Sequence, residues 1–305
     1  MNADLLTIHA GLMAPHAWLS PKFFYDETGC KLFEAITKLP EYYLTRTEKT
    51  IFEQTRSSLV DLIGTGSVMI DLGAGNCEKA ERLFPDLRPS HYVAIDVASD
   101  FLAGVLDRIR ADYPALPVDQ VDGDFTHGMT LPGHIPFDRR LIFFPGSTIG
   151  NLDPGEAVKL MRVMANMAGP SGGCLIGIDL VKSSAVMEAA YNDSQGITGE
   201  FNLNILNVVN KVARADFEPG RWKHKAFFNL EKSRIEMHLE SLHNQWVEWH
   251  GGRRLFQRTE RIHTENSYKF TLTGFESLLQ AAGLNKVAVF TDDQKWFALV
   301  LVQPA

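Results

Sequence analysis

A glycine turn follows the first strongly apolar run of the chain. The run SVMIDL leads into a turn that contains Gly73 and Gly75, and a helical pattern begins near Glu78. Glycines at the carboxyl end of a strand let a ligand approach the main chain closely, although such turns also join strands to helices where no ligand binds. A dinucleotide turn needs a third glycine at position 78, where this chain has glutamate. The turn alone therefore does not decide between a ligand site and a simple connection.

Acidic residues stand at the ends of the next two apolar runs. Asp96 follows HYVAI, where its carboxylate could accept from both ribose hydroxyls of an adenosine, or simply cap a helix or face solvent. Asp124 and Phe125 follow PVDQVDG, where the acid could bond an adenine amine while the ring packs on the base. With Asp71 on the first run, three consecutive strands end in acids. Because no pyrophosphate turn accompanies them, S-adenosylmethionine is favoured over NAD as the cofactor.

The fourth apolar run ends in a segment rich in glycine, FPGSTIGN, whose last residue is Asn151. Doubly wound sheets bind ligands beyond the carboxyl ends of their strands. We therefore expect the methyl group of S-adenosylmethionine and the atom that accepts it to meet at this segment. A structural turn that happens to contain glycine and asparagine is the competing interpretation.

These motifs belong to an alternating pattern of apolar runs and amphipathic helices over residues 61–182. Apolar runs joined by helices are typical of a parallel sheet that is covered on both faces. We predict a Rossmann-like, doubly wound α/β domain here, completed by a helix and two strands in residues 269–305. Residues 183–268 break the rhythm with a long, asparagine-rich helical stretch and then strand-like segments. They predict a second, smaller α+β domain that is inserted into the first and binds the substrate.

The N-terminal block, residues 1–60, is rich in aromatic residues, and its second half, TRTEKTIFEQTRSSLVDLIG, has a helical pattern. Thr45 with Glu48 three residues later has the spacing of a capping box at the start of that helix. We expect this block to join the inserted substrate domain.

Composition narrows the class of partner. The chain has 305 residues, a formal net charge of −7 and no long cluster of Lys and Arg, so nucleic acid is a poor partner. No apolar run approaches the roughly 18 residues of a membrane span, and the N-terminus lacks a secretory pattern. Cys30, Cys77 and Cys174 lie too far apart for a zinc site or a disulfide framework. We expect a cytoplasmic, monomeric protein that acts on a small molecule without a metal.

Longer motifs resemble those of the histidine-specific methyltransferases that make hercynine, the trimethylated histidine precursor of ergothioneine. The resemblance covers nearly the whole chain, and in chain order its motifs are FFYDETGCKLFEAITKLPEYYLTRTE, DLGAGNCEK, GDF, GSTIGN, YNDSQGIT with EFN, RIEMHL and TENSYKF. It implies an S-adenosylmethionine-dependent enzyme that converts L-histidine to hercynine by successive methylation of the α-nitrogen, the first step of ergothioneine biosynthesis.

The resemblance also implies a set of site residues. The residues that match cofactor contacts are Gly73, Lys79, Asp96, Asp124 and Phe125, and the turn itself adds Gly75. The residues that match substrate contacts are Phe33, Tyr42, Asn151, Tyr191, Thr198, Met237, Glu265 and Ser267. Tyr25 and Asn151 are expected to act on the amine as catalytic residues.

Within that set, the resemblance assigns the two ends of the amino acid to different side chains. Tyr42, Asn151 and Tyr191 would hold the α-amino and α-carboxylate groups, and Glu265 with Ser267 would read the imidazole. Phenols and an amide bind a zwitterion without adding a cation beside the positive sulfonium. Two positions depart from the family pattern. Cys77 replaces a small hydroxyl residue, and Asn266 replaces an apolar one, so the imidazole end is the part where specificity could differ.

Other functions remain open at this point. A methyltransferase of the same fold could act on a different amino acid, such as tryptophan or tyrosine. A nucleic-acid or protein methyltransferase would need a basic face or an Asn-Pro-Pro-Tyr type of motif after the fourth strand, where this chain has GSTIGN. A protein that binds S-adenosylmethionine without catalysis is the third alternative. Without the family motifs, Thr264 to Ser267 would be read as a polar stretch of exposed strand and Met237 as a core residue.

Overall fold

The computed structural model describes residues 3–96, 99–123 and 129–305. The chain divides into two compact units. We call Leu44–Val181 with Lys269–Ala305 the large-sheet unit, and Met1–Tyr43 with Lys182–Tyr268 the small-sheet unit. No helix among the described residues is both long and apolar enough to cross a bilayer.

The described helices and strands follow one another closely along the chain. The α-helices are α1 (Ala3–Met13), α2 (Glu27–Ile36), α3 (Tyr43–Ile63), α4 (Glu78–Glu81), α5 (Phe84–Leu87), α6 (Ser99–Asp112), α7 (Pro154–Ala168), α8 (Ser184–Ala189), α9 (Ile197–Ala213) and α10 (Leu272–Ala282). The strands are β1 (Val68–Leu72), β2 (His91–Asp96), β3 (Val118–Asp122), β4 (Arg140–Phe144), β5 (Gly173–Asp179), β6 (Trp222–Asn229), β7 (Arg234–Ser241), β8 (Gln245–Trp249), β9 (Gly252–Phe256), β10 (Arg261–Tyr268), β11 (Leu284–Thr291) and β12 (Phe297–Pro304).

The large-sheet unit is built on seven strands in the order β11-β12-β5-β4-β1-β2-β3. The first five strands of the chain are parallel, whereas β12 is antiparallel to β5 and β11 is antiparallel to β12. Strands β1, β4 and β5 are buried along nearly their whole length, as expected for a sheet with helices on both faces. The predicted doubly wound α/β sheet is confirmed, and its strand order reverses between β1 and β4.

Helix α3 belongs to the large-sheet unit. Its apolar side, with Ile51, Phe52 and Leu59, lies in the same buried cluster as Met69 of β1 and Phe143 of β4. The ring centroids of Phe52 and Phe143 are 5.8 Å apart. The boundary predicted near residue 60 therefore differs from the boundary in the structure, where the large-sheet unit begins at Leu44.

The capping box predicted for Thr45 and Glu48 is wrong. Helix α3 begins at Tyr43, so Thr45 already lies inside its first turn. A capping box does occur at α7, where the Asp153 carboxylate accepts from the Glu156 N–H at 2.9 Å and the Glu156 carboxylate accepts from the Asp153 N–H at 3.1 Å.

The small-sheet unit combines helices with a three-stranded antiparallel sheet, ordered β10-β7-β6, and a separate hairpin of β8 and β9. The helical stretch predicted here is two helices, α8 and α9, rather than one. Asp193 lies between them, and its carboxylate accepts from the N–H groups of Ile197 and Thr198 at 2.9 and 2.8 Å. Gly196 has a φ of 78° directly before α9. This side-chain capping explains why the pattern breaks, because it satisfies the first N–H groups of a new helix.

Candidate functional site

The turn after β1 is held in place by the end of β2. The N–H groups of Gly73 and Ala74 both donate to the carbonyl oxygen of Ile95, at 2.8 and 3.1 Å. The Gly75 N–H donates to Asp96 Oδ2 at 2.8 Å. Gly73 and Gly75 have φ values of 71° and 54°, which favour glycine. Gly73, Gly75 and Asp96, which were predicted to contact the cofactor, therefore belong to one hydrogen-bond network.

The space beside this turn fits a ligand that approaches the main chain. An ideal Cβ placed on Gly75 would meet no other atom within 4 Å. Asp96, at the tip of β2, is half-buried, and its carboxylate is the kind of acceptor that ribose hydroxyls need. Asp124 and Phe125, the predicted adenine contacts, lie outside the described residues.

A buried polar group lies beneath the turn. Asp71 of β1 accepts from the Tyr92 hydroxyl at 2.9 Å, and burial raises the pKa of Asp71 to about 7. Burial likewise raises the pKa of the neighbouring Cys77 thiol to about 12. Cys77 adopts a left-handed backbone with φ 60° and is buried. The cysteine that departs from the family pattern is therefore a protonated, interior side chain.

Lys79 is positioned by Glu48, the residue that the sequence pattern predicted to be part of a helix capping box. Lys79 Nζ lies 2.6 Å from Glu48 Oε2. The other oxygen, Glu48 Oε1, accepts from the Gly146 N–H at 2.6 Å. One sequence signal could have found this role. Glu48 is four residues after Leu44 and four before Phe52, so an acid interrupts the apolar stripe of α3.

The segment after β4 ends in a short 3-10 helix, Thr148–Asn151. It follows a left-handed turn at Gly146 and Ser147, with φ values of 75° and 59°. The Ser147 hydroxyl accepts from the Asp179 N–H at 2.9 Å, which fixes the turn to the end of β5. Asn151 lies half-buried at the end of this helix, where the Leu152 N–H donates to the Ile149 carbonyl oxygen at 3.3 Å.

In the small-sheet unit, five aromatic rings form a continuous group that we call the aromatic cluster. It contains Tyr25, Phe33, Tyr42, Tyr191 and Phe201. The Phe33 ring centroid lies 6.0 Å from Tyr25, 6.0 Å from Phe201 and 6.4 Å from Tyr42. Tyr42 in turn lies 6.3 Å from Tyr191. Four of these rings were predicted, and Phe201 on α9 was missed because its pattern is that of an ordinary buried helix position.

The sheet of the same unit contributes polar side chains to one face. Glu265 of β10 pairs with Met237 of β7, and Ser267 pairs with Ile235, so these four side chains share a face. All four are buried. The Tyr191 hydroxyl donates to Ser267 Oγ at 2.7 Å, which joins the aromatic cluster to this face. Thr198 is buried in the first turn of α9 in the same unit.

A β-bulge explains how Glu265 reaches this face. The register between β10 and β7 shifts between His263 and Glu265, which leaves Thr264 as an extra residue. Asn266 points to the opposite face, where its Oδ1 lies 2.9 Å from His263 Nε2. Asn266, the second position that departs from the family pattern, thus lies on the face opposite to Glu265 and Ser267.

The opposite face carries a network of ionisable side chains. The Glu236 carboxylate lies 2.6 Å from Arg234 Nη2 and 3.1 Å from His238 Nε2. Burial alone raises the pKa of Glu236, but hydrogen bonds from these two residues lower it to about 2. Burial, followed by the nearby His263, lowers the pKa of His238 to about 4. The His263 imidazole centroid lies 5.0 Å from that of His238, and burial lowers the pKa of His263 as well, so both rings favour the neutral form.

The two units thus offer different chemistry. The large-sheet unit presents glycine turns that are held by carboxylates, which suits a nucleoside. The small-sheet unit presents a carboxylate, hydroxyls and aromatic faces, which suit a small zwitterion with a polar ring. Over the described ranges, no group of three or more His, Cys, Asp and Glu residues is arranged to hold a metal ion.

Comparisons with known proteins find similarity to enzymes that use the same two types of ligand. A family model described as "Histidine-specific methyltransferase, SAM-dependent" matches residues 3–304. The chain is 37% identical to the histidine N-alpha-methyltransferase of Mycolicibacterium smegmatis, over 96% of this chain and 92% of that protein. It is 30% identical to ergothioneine biosynthesis protein 1 of Neurospora crassa, over 88% of this chain and 31% of that protein. A solved S-adenosylmethionine-dependent methyltransferase from Clostridium acetobutylicum shares the fold, with a TM-score of 0.50, 14% identity and coverage of 90% and 95%.

Proposed function

Because the chain belongs to the family of histidine-specific, S-adenosylmethionine-dependent methyltransferases, we propose that it methylates the α-nitrogen of L-histidine three times to give hercynine. The names of the two relatives support methylation of the histidine α-nitrogen and a role in ergothioneine biosynthesis. Transfer of three methyl groups and a place as the first step of that pathway are parts of this proposal. The observation that carries the proposal is the 2.7 Å hydrogen bond between Tyr191 and Ser267. It joins a residue assigned to the polar head of the amino acid to a residue assigned to its ring.

The polar head of histidine is assigned to Tyr42, Tyr191 and Asn151. The two tyrosine rings are neighbours in the aromatic cluster, with centroids 6.3 Å apart. The Tyr42 hydroxyl can donate to the α-carboxylate, and the Asn151 amide can both donate and accept. The Tyr191 hydroxyl donates to Ser267, and its oxygen can accept from the α-ammonium group. These groups bind the zwitterion without adding a cation that would repel a sulfonium.

The imidazole is assigned to Glu265 and Ser267. A carboxylate accepts from a ring N–H, and a serine hydroxyl can donate to or accept from the other ring nitrogen. Both residues are buried on one face with Met237 beside them, and Thr198 lies in the same unit. A substrate side chain without an N–H would leave the buried carboxylate without that bond, which is costly. This difference is the proposed source of selectivity for histidine.

Tyr25 and Phe33 are assigned to the α-nitrogen. Each methylation removes an N–H donor from the amine, so hydrogen-bond acceptors become poorer partners as the reaction proceeds. Aromatic faces attract the resulting quaternary ammonium instead. The Tyr25 and Phe33 rings are 6.0 Å apart and both are half-buried, so they offer such faces at the edge of the aromatic cluster.

The residues of the large-sheet unit fit the cofactor. Bound S-adenosylmethionine supplies an electrophilic methyl group on a positively charged sulfur. Asp96 would accept from the ribose hydroxyls, and Gly73 and Gly75 would let the ligand lie against the main chain. Lys79 is a further contact in this proposal. Asp124 and Phe125 keep their predicted roles beside the adenine.

The protein's own part in the chemistry is to orient a neutral amine. The α-nitrogen must attack with its lone pair, so it has to lose a proton before each transfer. Tyr25 and Asn151 are assigned to hold the nitrogen with that lone pair directed at the methyl carbon. Correct positioning of two reactants can lower a barrier by roughly 7–11 kcal/mol, so most of the rate enhancement can come from this arrangement.

We also propose that the enzyme acts in the cytoplasm as a monomer on free histidine. The acidic net charge of −7 and the scarcity of Lys and Arg clusters support a small-molecule substrate over a nucleic acid. Light scattering of the purified protein should give the mass of one chain, and a dimer mass would contradict the monomer.

Mass spectrometry of the reaction products tests the proposal. The protein is incubated with S-adenosylmethionine and L-histidine, and separately with Nα-acetylhistidine, histamine, tryptophan and tyrosine. We expect products of histidine with one, two and three added methyl groups, and little product from the other compounds. Faster methylation of tryptophan or tyrosine would replace histidine as the substrate. If no tested compound gains a methyl group, the proposed reaction is wrong, and binding of S-adenosylmethionine without catalysis becomes the favoured alternative.

A further inference from the structure

Glu48 is a buried carboxylate that none of the steps above uses. The residue is 1% exposed. One oxygen accepts from the Gly146 N–H and the other pairs with Lys79 Nζ, both at 2.6 Å. The two partners follow β4 and β1, the strands between which the strand order reverses. A single side chain from α3 therefore holds both segments that border the expected ligand position.

The fold makes room for this carboxylate. An ideal Cβ placed on Gly177 of β5 would lie 2.5 Å from Glu48 Oε1 and 3.0 Å from the Gly146 nitrogen. A glycine inside a strand weakens the strand, and it often marks a site of close approach. Gly177 thus indicates that the position of Glu48 is built into the sheet rather than chosen by one flexible side chain.

The charge of Glu48 matters because of where its partner lies. Asp96 is assigned to the ribose at the end of β2, on one side of β1, and β4 lies on the other side. With the ribose at Asp96, the part of the cofactor beyond it would lie toward β1 and β4, and this part carries the sulfonium together with an amino group and a carboxylate. The Lys79 side chain is 34% exposed at this edge. An ammonium without a counter-charge there would repel the positive sulfur.

We propose that Glu48 is a positioning residue of the cofactor site that neutralises Lys79 and holds Gly146. The site then accepts the positively charged S-adenosylmethionine without an opposing charge. S-Adenosylhomocysteine, which has an uncharged sulfur, is the natural comparison ligand, because it differs from the cofactor only by the methyl group and that charge. The inference rests on the cofactor of the family and not on the identity of the methyl acceptor.

Calorimetric titration of both ligands in the absence of any amino acid tests this role. The variants are Glu48→Gln, Lys79→Met and the double variant, and circular dichroism checks the fold of each one. Glu48→Gln keeps the size of the side chain and an acceptor for Gly146, but it removes the charge. We expect it to lower the ratio of S-adenosylmethionine affinity to S-adenosylhomocysteine affinity by about five- to tenfold.

The other two variants make the test specific to charge. Lys79→Met leaves the Glu48 carboxylate without its counter-charge, so the affinity ratio should shift toward the sulfonium ligand. The double variant should return the ratio to within about twofold of the wild-type value. If Glu48→Gln weakens both ligands equally, or changes neither, Glu48 acts only through packing and the proposal is wrong. If Glu48→Gln does not fold, Lys79→Met decides, since an unchanged ratio there overturns the charge role.

Discussion

The two units build their candidate sites from different parts of the polypeptide. In the large-sheet unit, the turn at Gly73 to Gly75 is held through main-chain N–H groups that bond Ile95 and Asp96. In the small-sheet unit, the site consists of side chains on a sheet face and on helices, joined by the bond between Tyr191 and Ser267. The difference suggests that the cofactor site depends on backbone shape, whereas substrate choice depends on a few replaceable side chains.

The two units also differ in how they respond to acid. Asp71, in the large sheet, has a pKa raised to about 7, so its burial favours the protonated form. His238, in the small sheet, has a pKa lowered to about 4, so its burial favours the deprotonated form. Burial thus favours the uncharged form of both residues, which is the low-pH form of Asp71 and the high-pH form of His238. The stability that each group contributes is therefore lost in opposite directions of pH.

The largest effect is expected from Asp96→Ala. The change removes the acceptor of the Gly75 N–H and the carboxylate assigned to the ribose, so the turn and the ligand contact are lost together. We expect the affinity for S-adenosylhomocysteine to fall about a hundredfold by calorimetry. Asp96→Asn, which can still accept from Gly75, should lose less. Equal losses in the two variants would show that the turn does not depend on this bond.

The pH responses of the two units give the next effect. An Asp with a raised folded pKa contributes stability that is present below its usual value of 3.8 and is lost as the pH rises through 7. Asp71→Asn should therefore gain about 2 kcal/mol of unfolding free energy relative to the wild type between pH 5.5 and 7.5. Urea unfolding at both pH values measures this change. A constant difference between the two proteins would contradict the buried, protonated Asp71.

The matched variant in the small-sheet unit should show the opposite slope. A His with a lowered folded pKa contributes stability that is present above its usual value of 6.5 and is lost as the pH falls through 4. His238→Gln should therefore gain up to about 2 kcal/mol relative to the wild type as the pH falls from 7.5 to 4.5. The Glu236 carboxylate, with a pKa of about 2, stays charged over this range. If both variants have the same slope, the contrast between the units fails.

A smaller effect is expected from Glu265→Ala. The carboxylate is assigned only to the imidazole, so the affinity for histidine should fall at least about tenfold while that for S-adenosylhomocysteine stays within about twofold. Glu265→Gln keeps the volume and one acceptor oxygen, and it should lose less. Parallel losses of both ligands would mean that Glu265 supports the fold of the unit rather than reading the ring.

The smallest effect is the coupling between Tyr191 and Ser267. Tyr191→Phe, Ser267→Ala and the double variant form a cycle that isolates their 2.7 Å hydrogen bond. Urea unfolding should give a coupling free energy of about 1 kcal/mol, because the bond is buried. A coupling near zero would show that the head and ring ends of the proposed pocket are energetically independent.

Much of the large-sheet unit could be predicted from its sequence, because buried parallel strands leave a clear signal. The apolar runs before Asp71, Asp96 and Phe144 became β1, β2 and β4, and each ends beside the predicted turn or acid. The boundary at the N-terminal block could not be placed in the same way. Helix α3 reads equally well as part of either unit until its packing against Met69 and Phe143 is known.

The small-sheet unit was harder to predict, because its arrangement depends on local side-chain bonds and on register. The bulge at Thr264 determines which of Glu265 and Asn266 shares a face with Ser267, and a bulge has no reliable sequence pattern. Asp193 divides the helical stretch by capping α9. Glu48 shows a third limit, since its spacing from Thr45 matched a capping box although its partners, Lys79 and Gly146, are distant in sequence.

The most direct test of the substrate assignment is a calorimetric comparison of amino acids. The wild-type protein, saturated with S-adenosylhomocysteine, is titrated with each of the proteinogenic amino acids in turn. We expect L-histidine to bind most tightly, and we expect this preference to be lost in Glu265→Ala. Tighter binding of any other amino acid, or a histidine preference that survives in Glu265→Ala, would contradict the assignment of the imidazole to Glu265.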